Sequence, residues 1–329
     1  MERVLAAIEQ LVATMGLQLG AAFLAPGSSV SLVALACTFV VFAPLALRTR
    51  RKRRLRHGAA WRAMFPARLW KSASGRTDFL FFLLGTLFYS MLFGWAVFSG
   101  GQVRGLVLEW LGAPAEQWLP TWASAAVATV VLFVAYEATY YQDHYLMHRV
   151  PFLWRFHKVH HQAESLSILT GYRIHPVEAI GFSNLLALNL GVISALLQWT
   201  LGAGVSAWTI GSVNLLIVVL NVALSNLQHS HLWIGFGPRW GKWIIGPAHH
   251  QIHHSTDPAH FNRNLGSVLT VFDRMFGTFH MPAERRERLT FGVDDGETAP
   301  HGWRAALFAP FLPAPRPPER AALESAAAQ

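Results

Sequence analysis

A histidine-rich stretch that directly follows an apolar run dominates the middle of this chain. From His144 to His161 the sequence reads H-Y-L-M-H-R-V-P-F-L-W-R-F-H-K-V-H-H, and Pro151 predicts a break between two helices. On these helices the imidazoles recur at i, i+3 or i+4, which places each group on one helix face. The groups are His144 and His148, then His157, His160 and His161, and the triplet spacing returns at His250, His253 and His254. A repeated face of imidazoles predicts metal binding.

The ligands available to such a metal are nitrogen and oxygen, not sulfur. Cys37 is the one cysteine and lies in an apolar run, which excludes a thiolate site. Neutral imidazole suits iron, copper, zinc and nickel, and one ion accepts about four to six ligands. The candidate ligands exceed that number and predict two metal ions: His144, His148, His157, His160, His161, His229, His250, His253 and His254. Neighbouring carboxylates are expected to orient the ring N–H groups, with Glu137, Asp143, Glu178 and Asp257 as candidates.

The composition places the chain in a membrane. The mean hydropathy is +0.31, with 53% hydrophobic and only 14% charged residues. A net charge of +9 would also suit nucleic acid. However, the basic block from Arg48 to Arg56 directly follows an apolar segment, which is typical of a cytoplasmic flank facing anionic headgroups. Nucleic acid is therefore not an expected partner.

Hydropathy along the chain predicts six membrane crossings. They are Val4–Leu24, Val30–Leu47, Phe79–Phe98, Trp122–Tyr141, Val177–Leu201 and Ala207–Leu227. A basic, aromatic segment from Arg51 to Arg76 is expected to lie at the headgroups, and Gly100–Leu119 is expected to be an outer loop. If the first segment does not cross, five spans remain, and the histidines stay on the cytoplasmic face in either case. The predicted fold is an all-α integral membrane helical bundle with a cytoplasmic, histidine-rich di-metal site.

The chain divides into three predicted regions. Residues 1–121 hold the N-terminal spans and the basic interfacial segment, and residues 122–280 hold the histidine groups and form the expected catalytic domain. Residues 281–329 form a C-terminal extension. Its proline- and alanine-rich composition predicts disorder from about residue 310.

The histidine region resembles the fatty acid hydroxylase and sterol desaturase superfamily. The likeness lies in His144-Tyr-Leu-Met-His148, in Trp154-Arg-Phe-His-Lys-Val-His-His161, in Arg173-Ile-His-Pro-Val-Glu178, in Pro247-Ala-His-His-Gln-Ile-His-His254 and in Asn264-Leu-Gly266 with Phe272-Asp-Arg-Met-Phe-Gly-Thr278. It covers roughly Trp122 to His280. It implies a helical integral membrane protein with a cytoplasmic non-haem di-iron site.

The resemblance also assigns the histidines to boxes. His144 and His148 form the first box, the triplet at His157 the second and the triplet at His250 the third, with His229 as a further ligand. Two positions depart from the pattern: His231 stands where other members often have Asn, and His249 is an extra imidazole before the third box. His231 and His249 are each candidates for an additional ligand or for a group that supports the ligands, and His175 is a further candidate for support. Asn264 and Asp273 suit either a supporting role or a local turn or cap. Arg173 and Glu178 are expected to pair and brace the site, and His280 is expected to lie outside it.

The resemblance implies O2-dependent hydroxylation of a lipid C–H bond by two iron ions that cycle between Fe2+ and Fe3+. Zinc is an alternative occupant of purified protein. Desaturation and oxidative cleavage of an ether lipid remain open, and so does a non-catalytic metal-binding or metal-transporting membrane protein. Because the chain shows no nucleotide fingerprint and no cysteine set for an iron–sulfur cluster, electrons must come from a ferredoxin, a rubredoxin or a cytochrome b5-like partner.

Overall fold

Helices make up most of the backbone in the computed structural model, which describes residues 2–25, 28, 30–53, 67–89, 97–220, 222, 224, 226–293 and 302–312. In chain order the α-helices are α1 (Glu2–Leu24), α2 (Leu32–Arg53), α3 (Arg68–Lys71), α4 (Ala73–Leu84), α5 (Gly100–Leu111), α6 (Thr121–Arg149), α7 (Pro151–His161), α8 (Pro176–Leu201), α9 (Leu215–Leu220), α10 (Asn226–Gln228), α11 (Gly237–Trp240), α12 (Pro247–His253), α13 (Val271–Met275) and α14 (Trp303–Phe308). A π-helical turn lies at Gly85–Tyr89, and 3-10 turns lie at Ile168–Tyr172, Pro258–His260 and Ala309–Phe311. A short antiparallel hairpin pairs β1 (Thr209–Ile210) with β2 (Val213–Asn214).

Two helices carry the framework of the histidine region. Within the described residues, α6 and α8 are the helices long and apolar enough to cross a membrane. They pack against each other, and the Asn189 amide of α8 donates to Thr139 Oγ1 and Gln142 Oε1 of α6, both at 3.1 Å. Several apolar side chains of α6, such as Val130 and Val134, remain exposed. These features fit a membrane protein, whereas the larger number of predicted crossings remains a prediction.

The predicted break at Pro151 positions the first histidines. Helix α6 ends at Arg149, and Pro151 is the first residue of α7, where its missing N–H costs no hydrogen bond. The chain therefore turns between the two histidine groups and folds α7 back against α6. The start of α8 is similarly defined, because His175 caps the helix through Nδ1, which accepts from the Val177 N–H, and Pro176 follows at the first helical position.

The predicted outer loop at Gly100–Leu119 is wrong over its first half. Residues Gly100–Leu111 form α5, which begins with a reciprocal capping box between Ser99 and Gln102 and packs along α8. The approach is close at Gly191, where an added Cβ would lie 2.7 Å from Val103 Cβ and 2.8 Å from the Gly100 carbonyl oxygen. Hydropathy missed this helix because its polar and glycine residues lower the apolar average without preventing a helix.

The predicted span from Ala207 to Leu227 is also wrong as a continuous helix. Gly211 and Ser212 both have positive φ, at 56° and 67°, and form the tight turn of the hairpin. Thr129 of α6 holds this hairpin, because its hydroxyl accepts from Trp208 N–H at 2.8 Å and its carbonyl accepts from the Asn214 amide at 2.9 Å. Composition alone does not reveal such a turn inside an apolar run.

Other predictions fall partly outside the described residues. Residues 54–66 are outside the described part, and they include the end of the basic block and much of the interfacial segment. Residues 90–96 of the predicted Phe79–Phe98 span are also outside it. The predicted disorder from about residue 310 falls mainly on residues 313–329, which are also outside. Before them, α14 and the following 3-10 turn pack on the histidine region: Phe311 contacts Phe156 and His175, with ring centroids 5.3 and 5.6 Å apart.

Candidate metal centre

The histidine rings gather into two adjoining clusters. In the first cluster, His144, His148, His157, His161 and His253 bring one nitrogen each within 4.8 Å of one another. In the second cluster, His160, His229, His250 and His254 do the same. The clusters touch, since the rings of His161 and His254 stack with centroids 4.5 Å apart. Together the clusters contain all nine imidazoles singled out from the sequence.

The clusters do not follow the order of the histidine groups along the chain. His160 belongs to the second cluster, although its neighbours His157 and His161 belong to the first. Conversely, His253 belongs to the first cluster, although His250 and His254 belong to the second. Helical spacing explains the division, because adjacent residues such as His253 and His254 point about 100° apart around the helix axis. Each cluster is therefore built from both halves of the region.

Hydrogen bonds at the outer nitrogens fix the tautomers in the first cluster. Nδ1 of His144 donates to the Leu265 carbonyl at 2.8 Å, and Nδ1 of His253 donates to the Arg263 carbonyl at 2.9 Å, because a carbonyl oxygen can only accept. Nδ1 of His157 donates to Glu178 Oε1 at 2.8 Å. In the neutral rings Nε2 then carries a lone pair.

These lone pairs face one another in the buried interior. Nε2 of His157 lies 3.1 Å from Nε2 of His144 and 3.2 Å from Nε2 of His161. A proton on His157 Nε2 could form a hydrogen bond with only one of these two nitrogens. The buried Nε2 of His253 has no hydrogen-bond partner among the described residues. Facing lone pairs repel unless a cation lies between them, so the arrangement suits a metal ion.

The second cluster converges in the same way. Nε2 of His229 lies 3.2 Å from Nε2 of His160 and 2.8 Å from Nε2 of His250, which is 3.2 Å from Nε2 of His254. Nitrogens bound to a common ion at about 2.0–2.1 Å, with angles of about 90–110°, are about 2.9–3.4 Å apart. The two separations of 3.2 Å lie within that range, and the separation of 2.8 Å lies just below it. Gly171 leaves room behind His229, where an added Cβ would lie 3.3 Å from Nδ1.

Burial lowers the pKa of several cluster imidazoles. Desolvation lowers the pKa of His253 to about 3, with electrostatic coupling to the His157 ring as a smaller cause, and it lowers the pKa of His229 to about 3. The pKa values of His160, His161 and His250 are also lowered by burial first and by neighbouring rings second. At neutral pH these rings are free of the proton that would compete with a metal.

The metal-free protein is expected to lose stability as the pH falls from about 6.5 towards 3. The folded-state pKa of His229 and His253 is about 3, so the unfolded chain takes up protons first and is favoured on acidification. Thermal unfolding of chelator-treated protein across this range would measure the effect. A double His229→Gln, His253→Gln variant should show a shallower slope, and an identical slope in that variant would contradict the assignment.

The predicted carboxylates occupy different positions around the clusters. Glu178 is bonded directly to His157, while Glu137 accepts from the Val268 and Leu269 N–H groups at 2.9 and 2.8 Å. Asp143 is partly buried and lies near Glu178 and His157. Asp257 is exposed and caps the 3-10 turn by accepting from Ala259 N–H at 2.9 Å.

The remaining predicted polar residues support the backbone. His175 caps α8, and its Nε2 donates to the Leu307 carbonyl at 3.0 Å. His249 accepts from Gly246 N–H at 3.1 Å, and Asn264 donates to the His249 carbonyl at 3.2 Å. His231 is partly buried. Outside the two clusters, the ring of His280 lies 5.1 Å from that of His260.

The predicted pairing of Arg173 with Glu178 is wrong. Arg173 Nη1 instead lies 3.1 Å from Asp78 Oδ1, and both side chains are fully buried. The two predicted partners separate because the helix cap at His175 intervenes between them. Glu178 in the first turn of α8 then turns towards His157.

Sequence reasoning gave Asp273 no definite role, and the structure shows one. Its carboxylate accepts from the N–H groups of Leu265 and Gly266 at 2.7 and 2.8 Å and from the Thr278 hydroxyl at 2.7 Å. Asp273 and Glu137 therefore hold both ends of the loop whose Leu265 carbonyl orients His144. The acceptor carbonyls of Leu265 and Arg263 have no sequence signal, because every residue carries a carbonyl.

Comparison with known proteins agrees with this site. Residues 129–278 match the family model for fatty acid hydroxylase. Alkylglycerol monooxygenase from Xenopus tropicalis is 26% identical over 162 residues, covering 49% of this chain and 32% of that protein. Ornithine lipid hydroxylase OlsE from Rhizobium tropici is 31% identical over 196 residues, covering 59% and 53%. Cholesterol 25-hydroxylase from Homo sapiens is 30% identical over 181 residues, covering 52% and 59%.

The matches cover a common region and not whole proteins. The chain spans 32% of the Xenopus relative and 59% of the human cholesterol 25-hydroxylase. No solved structure matches the chain at a significant level. The matched residues 129–278 contain both histidine clusters and the loop that orients them. The central region of the chain, residues 129–278, is therefore similar to the fatty acid hydroxylase family.

Proposed function

We propose that this protein is a membrane-bound non-haem di-iron oxygenase that hydroxylates a C–H bond of a lipid with O2 and external electrons. One observation carries the proposal: nine imidazoles, seven of them buried and two partly buried, form two adjoining clusters. In the first cluster, hydrogen bonds at Nδ1 leave the Nε2 lone pairs directed inward. Each cluster has enough nitrogens for one ion. The first cluster would hold one ion and the adjoining second cluster the other.

Iron is the proposed metal because the reaction class requires redox chemistry. An all-imidazole set also suits zinc and copper, but zinc has no accessible redox change. The relatives are named as hydroxylases and monooxygenases, which use O2 as an oxidant. Bound iron would supply the activation of O2 towards an unactivated C–H bond.

The chain's own groups then hold the ligands and exclude water. Glu178 accepts the His157 Nδ1 proton, and the carbonyls of Leu265 and Arg263 accept those of His144 and His253. These bonds fix the ring orientations and increase the basicity of Nε2. The imidazoles of His250, His253 and His254 are almost fully buried, so the reacting centre is shielded from solvent.

The proposed substrate reaches the clusters from the membrane. Helices α6 and α8 would cross the bilayer, and His144 and His148 lie in the last turns of α6, at one membrane surface. The basic block from Arg48 to Arg56 favours the cytoplasmic side for this surface. Six or five crossings, as hydropathy predicts, remain part of the proposal, although the segment Ala207–Leu227 is not a continuous helix.

External electrons complete the proposed reaction. Because the sequence has no nucleotide fingerprint and no iron–sulfur cysteine set, a small redox protein such as a ferredoxin, a rubredoxin or a cytochrome b5-like protein would supply them. The net charge of +9 would attract an acidic donor. Zinc would fill the same imidazoles in protein purified without iron.

Ether-lipid oxidation is a second candidate because alkylglycerol monooxygenase matches the central region. Hydroxylation of the carbon beside an ether oxygen would give a hemiacetal, which collapses to an aldehyde and an alcohol. Desaturation would instead remove a second hydrogen from the neighbouring carbon. A metal transporter is less well supported, because its ligands would be expected near the bilayer midplane and not at the end of α6.

The direct test compares lipids from cells that express the wild-type protein or a His250→Ala variant under isotopically labelled O2. The expected product carries one oxygen atom from O2 and is absent with the variant. Label in an alcohol supports hydroxylation, and label in an aldehyde supports ether cleavage. An unlabelled alkene formed only with the wild type would favour desaturation. Loss of bound iron in the variant with no difference in any lipid would contradict the proposed function.

A Glu178→Gln variant is expected to bind the first-cluster metal about 10–100 times more weakly, because a neutral amide orients and polarises His157 less strongly than a carboxylate. Metal retention against increasing chelator would measure this loss. Glu284→Gln removes an exposed carboxylate from the loop after residue 280 and serves as the matched control. Equal retention in both variants would show that Glu178 does not support a metal ligand.

A further inference from the structure

An exposed aromatic and basic surface lies beside the end of α6 and has no role in the proposed chemistry. The aromatic–basic belt consists of Arg239, Trp240, Lys242, Trp243, Arg274, Met275 and Phe276. Its apolar members are unusually exposed: Trp240 is 57% accessible, Trp243 48%, Met275 67% and Phe276 61%. Large side chains with such exposure mark a contact surface.

Cations and indole rings are interleaved in this belt. Two cations lie near the Trp243 ring. The Arg274 guanidinium is 4.6 Å from the ring centroid, and the Lys242 ammonium is 5.7 Å from the same centroid. The Arg239 guanidinium lies 5.5 Å from the Trp240 ring centroid. The segments 237–245 and 270–276 contain a single carboxylate, Asp273, which is fully buried. The outward charge of the belt is therefore positive.

The position of the belt along α6 indicates the depth at which it lies. Phe276 stacks on Tyr141 with ring centroids 5.4 Å apart and an angle of 18°. Tyr141 follows Thr121 by about 30 Å of helix, which is the thickness of the hydrocarbon region. Tyr141 and Phe276 consequently lie at the boundary between acyl chains and headgroups, where aromatic residues concentrate.

Backbone hydrogen bonds fix the position of the belt. The Trp243 carbonyl accepts from Thr270 N–H at 3.1 Å, and Ile245 N–H donates to the Val268 carbonyl at 2.7 Å. These bonds join the belt to the loop held by Glu137 and Asp273. The backbone that carries the cations is therefore preformed before a partner binds.

We propose that the aromatic–basic belt binds the anionic headgroups of phospholipids in the bilayer. The indole rings and Phe276 would lie at the acyl boundary, and the guanidinium and ammonium groups would contact lipid phosphates. Each basic residue at an anionic surface contributes about 1 kcal/mol, which corresponds to about a fivefold preference. The inference rests on the membrane placement of α6 in the proposed function.

The test uses the full chain in nanodiscs of phosphatidylcholine and phosphatidylglycerol at one fixed ratio. Bromine is placed on the acyl chains of either lipid, and quenching of tryptophan fluorescence is compared at equal bromine content. The wild type is expected to be quenched more by brominated phosphatidylglycerol. An Arg239→Gln, Lys242→Gln, Arg274→Gln variant should lose that excess, and a Trp240→Phe, Trp243→Phe variant should lose the same component.

A charge-matched control removes Arg285, Arg286 and Arg288, three exposed cations in the loop that follows α13. It should keep the excess quenching. Equal loss in the control and in the belt variant would overturn the proposal, and so would quenching without lipid preference in the wild type. The proposal would also be overturned if the triple belt variant kept the lipid preference of the wild type. If that variant instead lost its reduction by an acidic redox protein, the belt would be a docking surface for the electron donor. Failure of the chain to insert into nanodiscs would contradict the membrane placement, and with it both this inference and the proposed membrane function.

Discussion

Replacing His253 and His161 together is expected to leave about one iron per chain, whereas replacing His253 and His254 together is expected to weaken the binding of both ions. The reason is the way the clusters divide the histidines. His161 and His253 belong to the first cluster, while His254 belongs to the second, although it is adjacent to His253 in the sequence. The two double alanine variants lose the same number of imidazoles and differ only in their distribution.

Metal analysis of protein purified from iron-replete cells would measure these ratios. Hydroxylation should fall by at least about 100-fold in either variant, because loss of a ligand exceeds the cost of losing its outer partner. A His231→Ala, His280→Ala variant removes two imidazoles outside the clusters and should keep both metals. Equal metal loss in the two cluster variants would show that the ions do not follow this division.

The identity of the clustered histidines was predictable because helical spacing is a local property. The i, i+3 and i+4 pattern placed the rings on common faces, and Pro151 predicted the turn that brings α6 and α7 together. The division into two clusters was not predictable in the same way. It depends on how α12 is rotated against α6 and α7, which is set by packing between distant segments.

The outer partners illustrate a second limit of the sequence. Glu178 lies on α8 close to α7 in the chain and was among the predicted carboxylates, but the acceptors for His144 and His253 are backbone carbonyls. Asp273 acts from the other side of the same loop by holding the Leu265 N–H. The amino-acid sequence predicts neither which backbone carbonyl will accept a hydrogen bond nor the path of the loop that carries it.

Hydropathy failed where conformation departs from composition. The segment from Ala207 to Leu227 is apolar enough to suggest a span, yet the positive φ values at Gly211 and Ser212 form a hairpin. The pairing of Arg173 with Glu178 failed for a related reason. Nearness in sequence suggested a contact, whereas a helix cap separates the two residues and the real partner, Asp78, is 95 residues away.

An Asp78→Ala variant is expected to lose about 3–5 kcal/mol of stability, because it leaves the charge of Arg173 buried without its partner. Both side chains are inaccessible to solvent, and Asp78 Oδ2 also accepts from the Thr170 hydroxyl at 2.8 Å. The pair joins α4 to the 3-10 turn at Ile168–Tyr172, where Gly171 lies against His229. The variant should therefore also bind the second-cluster metal more weakly than the first-cluster metal.

Thermal unfolding in detergent, with metal content measured in parallel, would test both effects. A double Asp78→Leu, Arg173→Met variant removes the charge together with its partner and should recover much of the stability, because no unpaired ion remains in the interior. Glu109→Gln neutralises an exposed carboxylate and should leave unfolding unchanged. If the single and the double variant unfold alike, the cost comes from lost packing and not from an unpaired buried charge. If the single variant matches the wild type, the Arg173–Asp78 pair does not brace the second cluster.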